Sequence, residues 1–455
     1  MGFSSRFAAA VANRRFSNAI LIASGAPITV VYAWRTLIGP ILSPSSDPVD
    51  FFEDYVPTGA MVASGHDPYS QCLSRACWIG LTNAWSVYPP VVSWLSQPLG
   101  LVDRAALGVA ALVVAQACIA LFIWSIARAL QVRGWQPVAM FVIAAIAFPP
   151  LIDQIVQRNI EVLLLSVSGV WLLGWVAGDR WWAGAAIGVG VALKLVQGPL
   201  LLLGAWGQRR AMTLAAVLVV AVLWLIGSPQ YLPEYLLKIV PALNTGTGYA
   251  MDIAPVGAVA RLLHPASIYG LVQGVDTTVR IIAGAISATV LIMTVITLWS
   301  PRADRTGRAL EAAAVVAATP LIVAVVRPGH LLLLLLPMLV LGTFAIRERR
   351  VWLGVLIATS WILTGPAYLW YTNLYAEGIR GPLMAAGAEI SLVGMVILWL
   401  TSLRALHLVN QSVPLVTRTG LGSSSTVQQS ARALDEQEHE RSLKRPARAG
   451  GGSEC

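Results

Sequence analysis

Charged residues are scarce in this chain. Asp, Glu, Lys and Arg make up 12% of its 455 residues, hydrophobic residues make up 57%, and the mean hydropathy is +0.71. Soluble domains carry about 25% charged residues. Apolar stretches of roughly 20 residues, the length that spans a bilayer core, recur along most of the sequence. The composition excludes a soluble globular protein and predicts an all-α polytopic membrane protein.

Cysteine is rare, and several cofactor motifs are missing. The chain has four cysteines, without the Cys/His spacing of a metal site, and no Walker loop or dinucleotide-binding glycine pattern. We therefore expect no nucleotide-binding site and no cofactor. Cys72 and Cys77 lie in a segment predicted to face outward, where oxidising conditions favour a disulfide. The alternative is two unlinked thiols.

Arginine concentrates in the short loops between apolar runs. Loops enriched in this way face the cytoplasm, so the net charge of +9 reflects topology, and we expect no nucleic-acid partner. The pattern predicts a multi-pass plasma-membrane protein with both termini in the cytoplasm. The arginines concerned are Arg14, Arg15, Arg128, Arg133, Arg209, Arg210, Arg302, Arg305, Arg308, Arg347, Arg349 and Arg350.

The apolar runs predict about twelve membrane helices or half-helices. Between Arg180 and Arg209 we expect a hairpin of two half-helices, broken at Gly198 and Pro199, with Lys194 near its outer tip. Residues 1–17 form a cytoplasmic N-terminus, 18–404 the membrane domain, and 405–455 a polar tail predicted to be disordered. Two long loops, about 43–105 and 228–278, face outward. Single spans are predicted near 18–42, 106–128, 137–152, 160–178, 211–227, 279–299, 309–326, 331–346, 351–372 and 383–404.

Acidic residues cluster where the chain leaves the first span. Residues 47–55 read DPVDFFEDY and contain Asp47, Asp50, Glu53 and Asp54. The cluster is either a solvated patch at a helix start or a set of carboxylates with a chemical role. A divalent metal bound to it is a further alternative.

An ordered series of motifs surrounds this cluster. Asp50-Phe51 with Tyr55 is followed by GHDPY (65–69), VYPPVVSWLSQPLG (87–100), QRN (157–159), ALKLVQGP (192–199), a lone Arg261, and RPGH (327–330). In its order and its placement against the spans, the series resembles glycosyltransferase family 87, membrane enzymes of GT-C type. The resemblance covers roughly residues 15–405. The family commonly has Gly at the position of Arg158.

The resemblance implies an enzyme that acts on the outer face of the membrane. It would transfer a sugar, with inversion, from a polyprenyl-phosphate donor to a glycolipid or glycan acceptor of the cell envelope. Mannose is the first expectation because it is frequent in the family, and arabinofuranose is the alternative. A lipid or solute transporter is the rival from another class, although no second half of the chain resembles the first, as transporter repeats would.

The resemblance also implies roles for single residues. The motif D-F-x3-Y places the general base on Asp50, with Asp54 as a rival, and includes Tyr55. A partly desolvated carboxylate suits this role, because desolvation raises its pKa toward the working pH. The family histidine that opens a late span corresponds to His330.

The leaving phosphate requires cations, and the candidates are Lys194, Arg261, Arg327 and His330. Lys194 is one of three lysines and lies within an apolar hairpin, where an ionisable group usually marks function. The alternatives are snorkelling for Lys194, an interfacial anchor for Arg327, and a buried, satisfied imidazole for His330.

The aromatic residues Tyr55, Tyr69 and Tyr88, together with Asn159, are candidates for contact with substrate or for shaping the first loop. A belt of interfacial aromatic residues explains the tyrosines equally well. We expect Glu389, inside the last span, to be paired and assign it no role.

Overall fold

A computed structural model of the chain describes residues 14–42, 51–69, 87–249, 252–265, 267, 275–299, 302, 304–365 and 382–412. All regular secondary structure within these residues is helical. The expectation of an all-α polytopic membrane protein is therefore confirmed. By compactness the chain divides after Leu406. The first unit holds the helical bundle, and the second, 407–455, is described only as far as Ser412, where its last helix ends.

Sixteen principal helices are named here in chain order for the described residues. They are α1 Arg14–Ala33, α2 Val56–Ala63, α3 Pro90–Ser96, α4 Arg104–Ala129, α5 Trp135–Ile146, α6 Pro149–Val156, α7 Glu161–Ala177, α8 Trp181–Leu193, α9 Gly198–Trp206, α10 Arg210–Ile226, α11 Pro255–Leu263, α12 Thr277–Thr297, α13 Arg305–Ile322, α14 Leu335–Arg347, α15 Val351–Thr364 and α16 Pro382–Ser412.

Shorter elements join or extend these helices. A π-helical turn at Trp34–Ile38 and the turn Gly39–Leu42 continue α1. Another π-helical turn, Phe51–Tyr55, leads into α2, and 3₁₀ turns at Leu195–Gln197 and Pro328–Leu334 lead into α9 and α14. The remaining elements are Gln97–Leu101, Pro229–Tyr231, Leu232–Glu234, Tyr235–Ile239 and Val240–Leu243.

Aspartates start three of the long helices. Asp103, Asp276 and Asp304 precede α4, α12 and α13, and each carboxylate accepts a hydrogen bond from a backbone N–H of the first turn, at 2.9, 2.9 and 2.7 Å. The carboxylates satisfy amides that have no partner inside the helix, and they lie at its positive end.

Five of the described helices are long and apolar enough to cross a membrane, and the number rises to seven if each of two bent pairs is one span. One pair, α5 and α6, bends by 63° before Pro149, and the other, α10 with Pro229–Leu243, bends by 99°. Proline disfavours the helical conformation in the preceding residue, which explains a break before Pro149. Every predicted span coincides with at least one helix.

The predicted hairpin is present as two short helices, α8 and α9, but its break is not where the sequence placed it. The helix is interrupted at Lys194, whose backbone is extended (φ −159°, ψ 119°). Gly198 and Pro199 lie instead in the first turn of α9. Proline is tolerated there, because the first turn of a helix does not need its N–H.

Two glycines permit close packing of α8 against α10. A Cβ atom on Gly184 would come within 1.9 Å of the Met212 carbonyl oxygen, and one on Gly188 within 2.6 Å of the Ala216 carbonyl oxygen. Glycines four residues apart let two helix backbones approach, as is common in membrane bundles. The face of α10 turned away from this contact exposes Leu218 and Leu225, which suits contact with lipid.

The turn between α6 and α7 contains a strained residue. Arg158 has φ 53°, in the left-handed region that favours glycine. Its side chain is buried, its Nε donates to the Gly108 carbonyl oxygen at 3.2 Å, and its guanidinium lies 5.7 Å from the Phe52 ring centre. The glycine expected here from the family would relieve the strain but lose these contacts.

Arg158→Gly and Arg158→Ala lose the same side-chain contacts. The difference in their free energies of unfolding therefore measures the backbone strain at this position. We expect the glycine variant to be the more stable by about 1 kcal/mol, because alanine is strained at positive φ. Thermal unfolding of the detergent-solubilised proteins measures this difference. Ala110→Gly in α4 is the control. There the glycine variant should be the less stable of the two proteins, because glycine destabilises a helix relative to alanine. Equal midpoints for the two Arg158 variants would contradict the strained turn.

Candidate active site

Six polar side chains from separate segments meet at one place in the bundle. They come from the turn before α2, the residues before α3, the start of α7, the interruption between α8 and α9, and the 3₁₀ turn before α14. The six are Tyr55, Tyr88, Asn159, Glu161, Lys194 and His330. Five of them were predicted from the sequence, and Glu161 was missed.

Tyr55 joins the first loop to the start of α7. Its hydroxyl oxygen accepts a hydrogen bond from the Ile160 N–H at 3.2 Å and lies 3.3 Å from Asn159 Oδ1 and 3.2 Å from the Tyr88 hydroxyl. Asn159 Oδ1 also accepts from the Glu161 N–H at 3.1 Å. The two tyrosines are buried. The hydrogen bonds therefore fix the first loop against the residue that begins α7.

Lys194 lies at the centre of the cluster. Its ammonium pairs with the Glu161 carboxylate, lies 3.1 Å from His330 Nε2, and is 5.4 Å from the centre of the Tyr88 ring. The Glu161 side chain is 1% exposed, whereas those of Lys194 and His330 are each 19% exposed. The Glu161 side chain is thus enclosed, while the Lys194 and His330 side chains are partly exposed.

Hydrogen bonds fix the orientation of the His330 imidazole. Its Nδ1 lies 3.2 Å from the Arg327 backbone nitrogen, and the His330 backbone N–H donates to the Arg327 carbonyl oxygen at 2.9 Å. Its Nε2 lies 3.1 Å from the Lys194 ammonium, which carries N–H donors and no acceptor, and 3.5 Å from Glu161 Oε1. His330 therefore turns Nε2 toward Lys194 and Glu161.

A small cavity lies beside His330, between α7, α9 and α13. Its volume is ≈ 20 Å³, and Ser168, Gln197 and Thr319 contribute polar groups to a mostly apolar lining. Such a volume holds about one water molecule. It is too small for a sugar ring.

Arg327 and Arg261 have different surroundings. Arg327 is half-buried, with its guanidinium 6.0 Å from the Tyr249 ring centre. Arg261 is buried and donates to Glu389 at 2.9 Å and to the carbonyl oxygens of Tyr249 and Asp252 at 2.9 and 2.8 Å. Glu389 is paired, as expected. Arg261 connects α11 to α16, and these contacts favour a structural role over the predicted phosphate contact.

Asp252 is a second buried carboxylate that the sequence analysis missed. Its Oδ1 accepts from the Ala254 and Val326 N–H groups at 3.1 and 2.9 Å, and the Ile253 N–H donates to the Val326 carbonyl oxygen at 2.9 Å. Burial raises the pKa of Asp252 to about 6, although its hydrogen bonds and the nearby arginines lower it. Asp252 thus attaches the second loop to the segment directly before Arg327 and His330.

Other predicted residues are placed as follows. Tyr69 is fully buried, donates to the Tyr88 carbonyl oxygen at 2.6 Å and packs on Tyr235 with ring centres 5.9 Å apart. It connects the first loop to the second, which favours a structural role. Asp54 is half-buried in the turn Phe51–Tyr55, where the Phe51 N–H donates to the Gln157 carbonyl oxygen at 3.3 Å.

Three predicted residues, Asp50, Cys72 and Cys77, lie outside the described residues. The base on Asp50 and the disulfide therefore remain predictions. Within the described part of the chain, no group of three His, Cys, Asp or Glu side chains is placed to hold a metal ion.

The two missed carboxylates differ in the signal that the sequence offered. Glu161 lies two residues after the QRN motif and begins an apolar run, and an acidic residue within a span usually has a partner and a function. That signal was available. Asp252 lies in a loop, where carboxylates are ordinary, and its burial depends on contacts with a segment distant in the sequence.

The helical bundle gathers ionisable side chains at a break in its helices, a position where such groups in a membrane protein usually serve function. Residues 85–328, more than half of the chain, match the sequence model of glycosyltransferase family 87. The chain belongs to this family. No curated protein matches the chain.

Titration of Asp252 predicts a pH-dependent stability. Its folded pKa of about 6 exceeds the usual 3.8, so its contribution to stability is complete below about pH 4 and is lost as the pH rises through 6. Asp252→Asn keeps the Oδ1 acceptor and does not titrate. Its stability relative to wild type should therefore rise between pH 4 and 7, by at most about 3 kcal/mol.

Thermal unfolding of both proteins across this pH range measures the effect. Asp276→Asn is the control, because the Val279 N–H and His264 lower the pKa of the exposed Asp276. Its contribution to stability is lost only as the pH falls below the usual pKa of 3.8, so the difference between Asp276→Asn and wild type should change little between pH 4 and 7. A difference for Asp252→Asn that is flat between pH 4 and 7 would contradict the buried, titrating carboxylate.

Proposed function

We propose that this glycosyltransferase transfers a sugar, with mannose as the first choice, from a polyprenyl-phosphate donor to a glycolipid or glycan acceptor of the cell envelope. The reaction inverts the anomeric centre and takes place at the outer face of the plasma membrane, with both termini in the cytoplasm. The arginine-rich short loops support this orientation.

The observation that carries the proposal is the convergence of Lys194 and His330. A lysine ammonium and an imidazole nitrogen lie 3.1 Å apart at an interruption between two apolar helices, on side chains that are each 19% exposed. An ionisable group in such a position is costly and usually serves function. An ammonium held at this place suits a phosphate oxygen, and a lipid carrier would bring its phosphate to the membrane.

In the reaction, the bond between the anomeric carbon and the phosphate oxygen breaks as the acceptor oxygen attacks from the opposite face. The polyprenyl phosphate leaves with an additional negative charge, which Lys194 and His330 stabilise. Donors aimed at the place where charge develops lower the barrier, because they need not reorganise. Arg327 is the remaining candidate for a cation near the phosphate.

The acceptor hydroxyl loses its proton to a carboxylate of the acidic segment. Asp50 is the proposed base and Asp54 its rival. Asp50 directly precedes Phe51 in the sequence, and the turn Phe51–Tyr55 is held beside α7 through Tyr55. This attachment of the neighbouring residues to the cluster supports a base on this segment.

Asp50→Asn should lower sugar transfer about 10²–10⁴-fold, the usual contribution of a general base. The measurement is transfer of radiolabelled sugar from polyprenyl-phosphate mannose and, separately, polyprenyl-phosphate arabinofuranose, in membranes with equal amounts of protein. Asp103→Asn is the control, because asparagine also caps helices. Loss in Asp54→Asn alone would move the base to Asp54, and full activity in both variants would contradict a base on this segment.

Lys194→Met should lower transfer about 10²–10³-fold, the usual cost of losing one donor that stabilises developing charge. Lys238→Met is the matched control: Lys238 also pairs with a glutamate, Glu234 at 3.0 Å, but is exposed and outside the cluster. The same transfer assay applies. Comparable losses in both variants would argue against a specific contact between Lys194 and the phosphate.

A further inference from the structure

Glu161 has an unusual position for an acidic residue in this chain. It is the first residue of α7, its side chain is 1% exposed, and its Oε1 pairs with the Lys194 ammonium. The same oxygen lies 3.5 Å from His330 Nε2. Its Oε2 is buried and has no hydrogen-bond partner among the described residues. A carboxylate is costly to enclose in this way without full compensation.

Two groups face the Lys194 ammonium. The ammonium has three N–H donors and no acceptor; it pairs with Glu161 Oε1 and lies 3.1 Å from His330 Nε2. Of these two partners, Glu161 is the one that carries a negative charge. Its carboxylate therefore contributes the stronger attraction that fixes the ammonium at this place.

This arrangement uses only part of the donor capacity of the ammonium. Glu161 Oε1 and His330 Nε2 together face two of its three N–H groups. The third N–H is left for a phosphate oxygen placed beside Lys194. Such an oxygen would bind the ammonium while Lys194 stays attached to Glu161.

We propose that Glu161 is a positioning residue for the donor phosphate. Its carboxylate holds the Lys194 ammonium at the interruption between α8 and α9, so that the ammonium reaches a phosphate oxygen of the donor. Glu161 itself does not touch the substrate and acts through Lys194. This inference rests on the proposed polyprenyl-phosphate donor.

The main test is a double-mutant cycle with Glu161→Gln and Lys194→Met. Glutamine keeps the shape of the side chain but removes its charge, so we expect the KM for the donor to rise at least tenfold while the KM for the acceptor stays within twofold. If Glu161 acts through Lys194, adding Glu161→Gln to Lys194→Met costs no more than a further twofold in kcat/KM. Non-additivity of this kind identifies residues that work as a unit.

Glu311→Gln is the matched control for the loss of a buried glutamate. Glu311 is also buried, pairs with Arg302 at 3.6 Å, and lies near the beginning of α13, whereas the site contacts the residues after the end of that helix. We expect this variant to keep the wild-type donor KM, whatever its stability. A donor KM raised equally in both variants would overturn the inference.

Binding of polyprenyl phosphate without a sugar gives a second readout, which does not depend on measurable turnover. Affinity for this probe should fall at least tenfold in Glu161→Gln. If that variant does not accumulate, Glu161→Asp replaces it, since aspartate keeps the charge but draws the oxygen back by one carbon. Its donor KM should rise at least fivefold, with the acceptor KM unchanged.

The outcomes separate the two proposals. Wild-type transfer from a polyprenyl-phosphate donor, together with an unchanged donor KM in Glu161→Gln, overturns the role of Glu161 and leaves the proposed function intact. The role of Glu161 is also overturned if the loss of kcat/KM in the double variant equals the product of the losses in the two single variants, because Glu161 would then act independently of Lys194. If the wild type neither transfers sugar from these donors nor binds polyprenyl phosphate, the proposed function is overturned, and the role of Glu161 with it.

Discussion

The ion pair between Lys194 and Glu161 is the interaction on which the arrangement of the site depends. Removing two charges from water costs several kcal/mol for each ion, and their attraction offsets this only with good geometry and further hydrogen bonds. The further partners are present: His330 lies next to the ammonium, and the Tyr88 ring faces it at 5.4 Å. Apolar residues of similar volume would fill the same space at less cost, so stability alone does not explain the pair.

Interrupted helices bring these partners together. The bundle has breaks at Arg158, at Lys194 and in the residues before Pro328, and each break places one or two site residues. Irregular backbone in a membrane protein is tolerated where protein encloses it. Near Lys194, at the end of α8, the Ala192 carbonyl oxygen accepts a hydrogen bond from the Trp224 indole N–H at 3.1 Å. The breaks are thus compensated locally, and continuous helices would not deliver these side chains to one point.

The sequence predicts the helices well because apolar length is a local property. Lys194 and His330 were also predictable, since an ionisable residue in an apolar run is rare enough to identify by itself. The partner of Lys194 was not, because the pairing joins residues 33 positions apart through a break that the sequence placed at Pro199. Arg261 shows the reverse case: a lone arginine in an outer loop fits a phosphate ligand by sequence, whereas its contacts with Glu389 and two backbone carbonyls favour a structural role.

The second loop reaches the site through backbone hydrogen bonds, without adding a side chain to the cluster. Asp252 holds the Val326 N–H at 2.9 Å, and one residue later the Arg327 N–H donates to His330 Nδ1 at 3.2 Å. The orientation of the imidazole therefore depends on a loop carboxylate that lies outside the cluster. The first loop contributes in a parallel way, because Tyr69 fixes the Tyr88 backbone and Tyr55 fixes the start of α7. Both loops thus orient groups of the bundle. The turn Phe51–Tyr55, which contains Asp54, is attached through Tyr55 to the start of α7, and the proposed reaction requires such an attachment for a base that meets an acceptor hydroxyl.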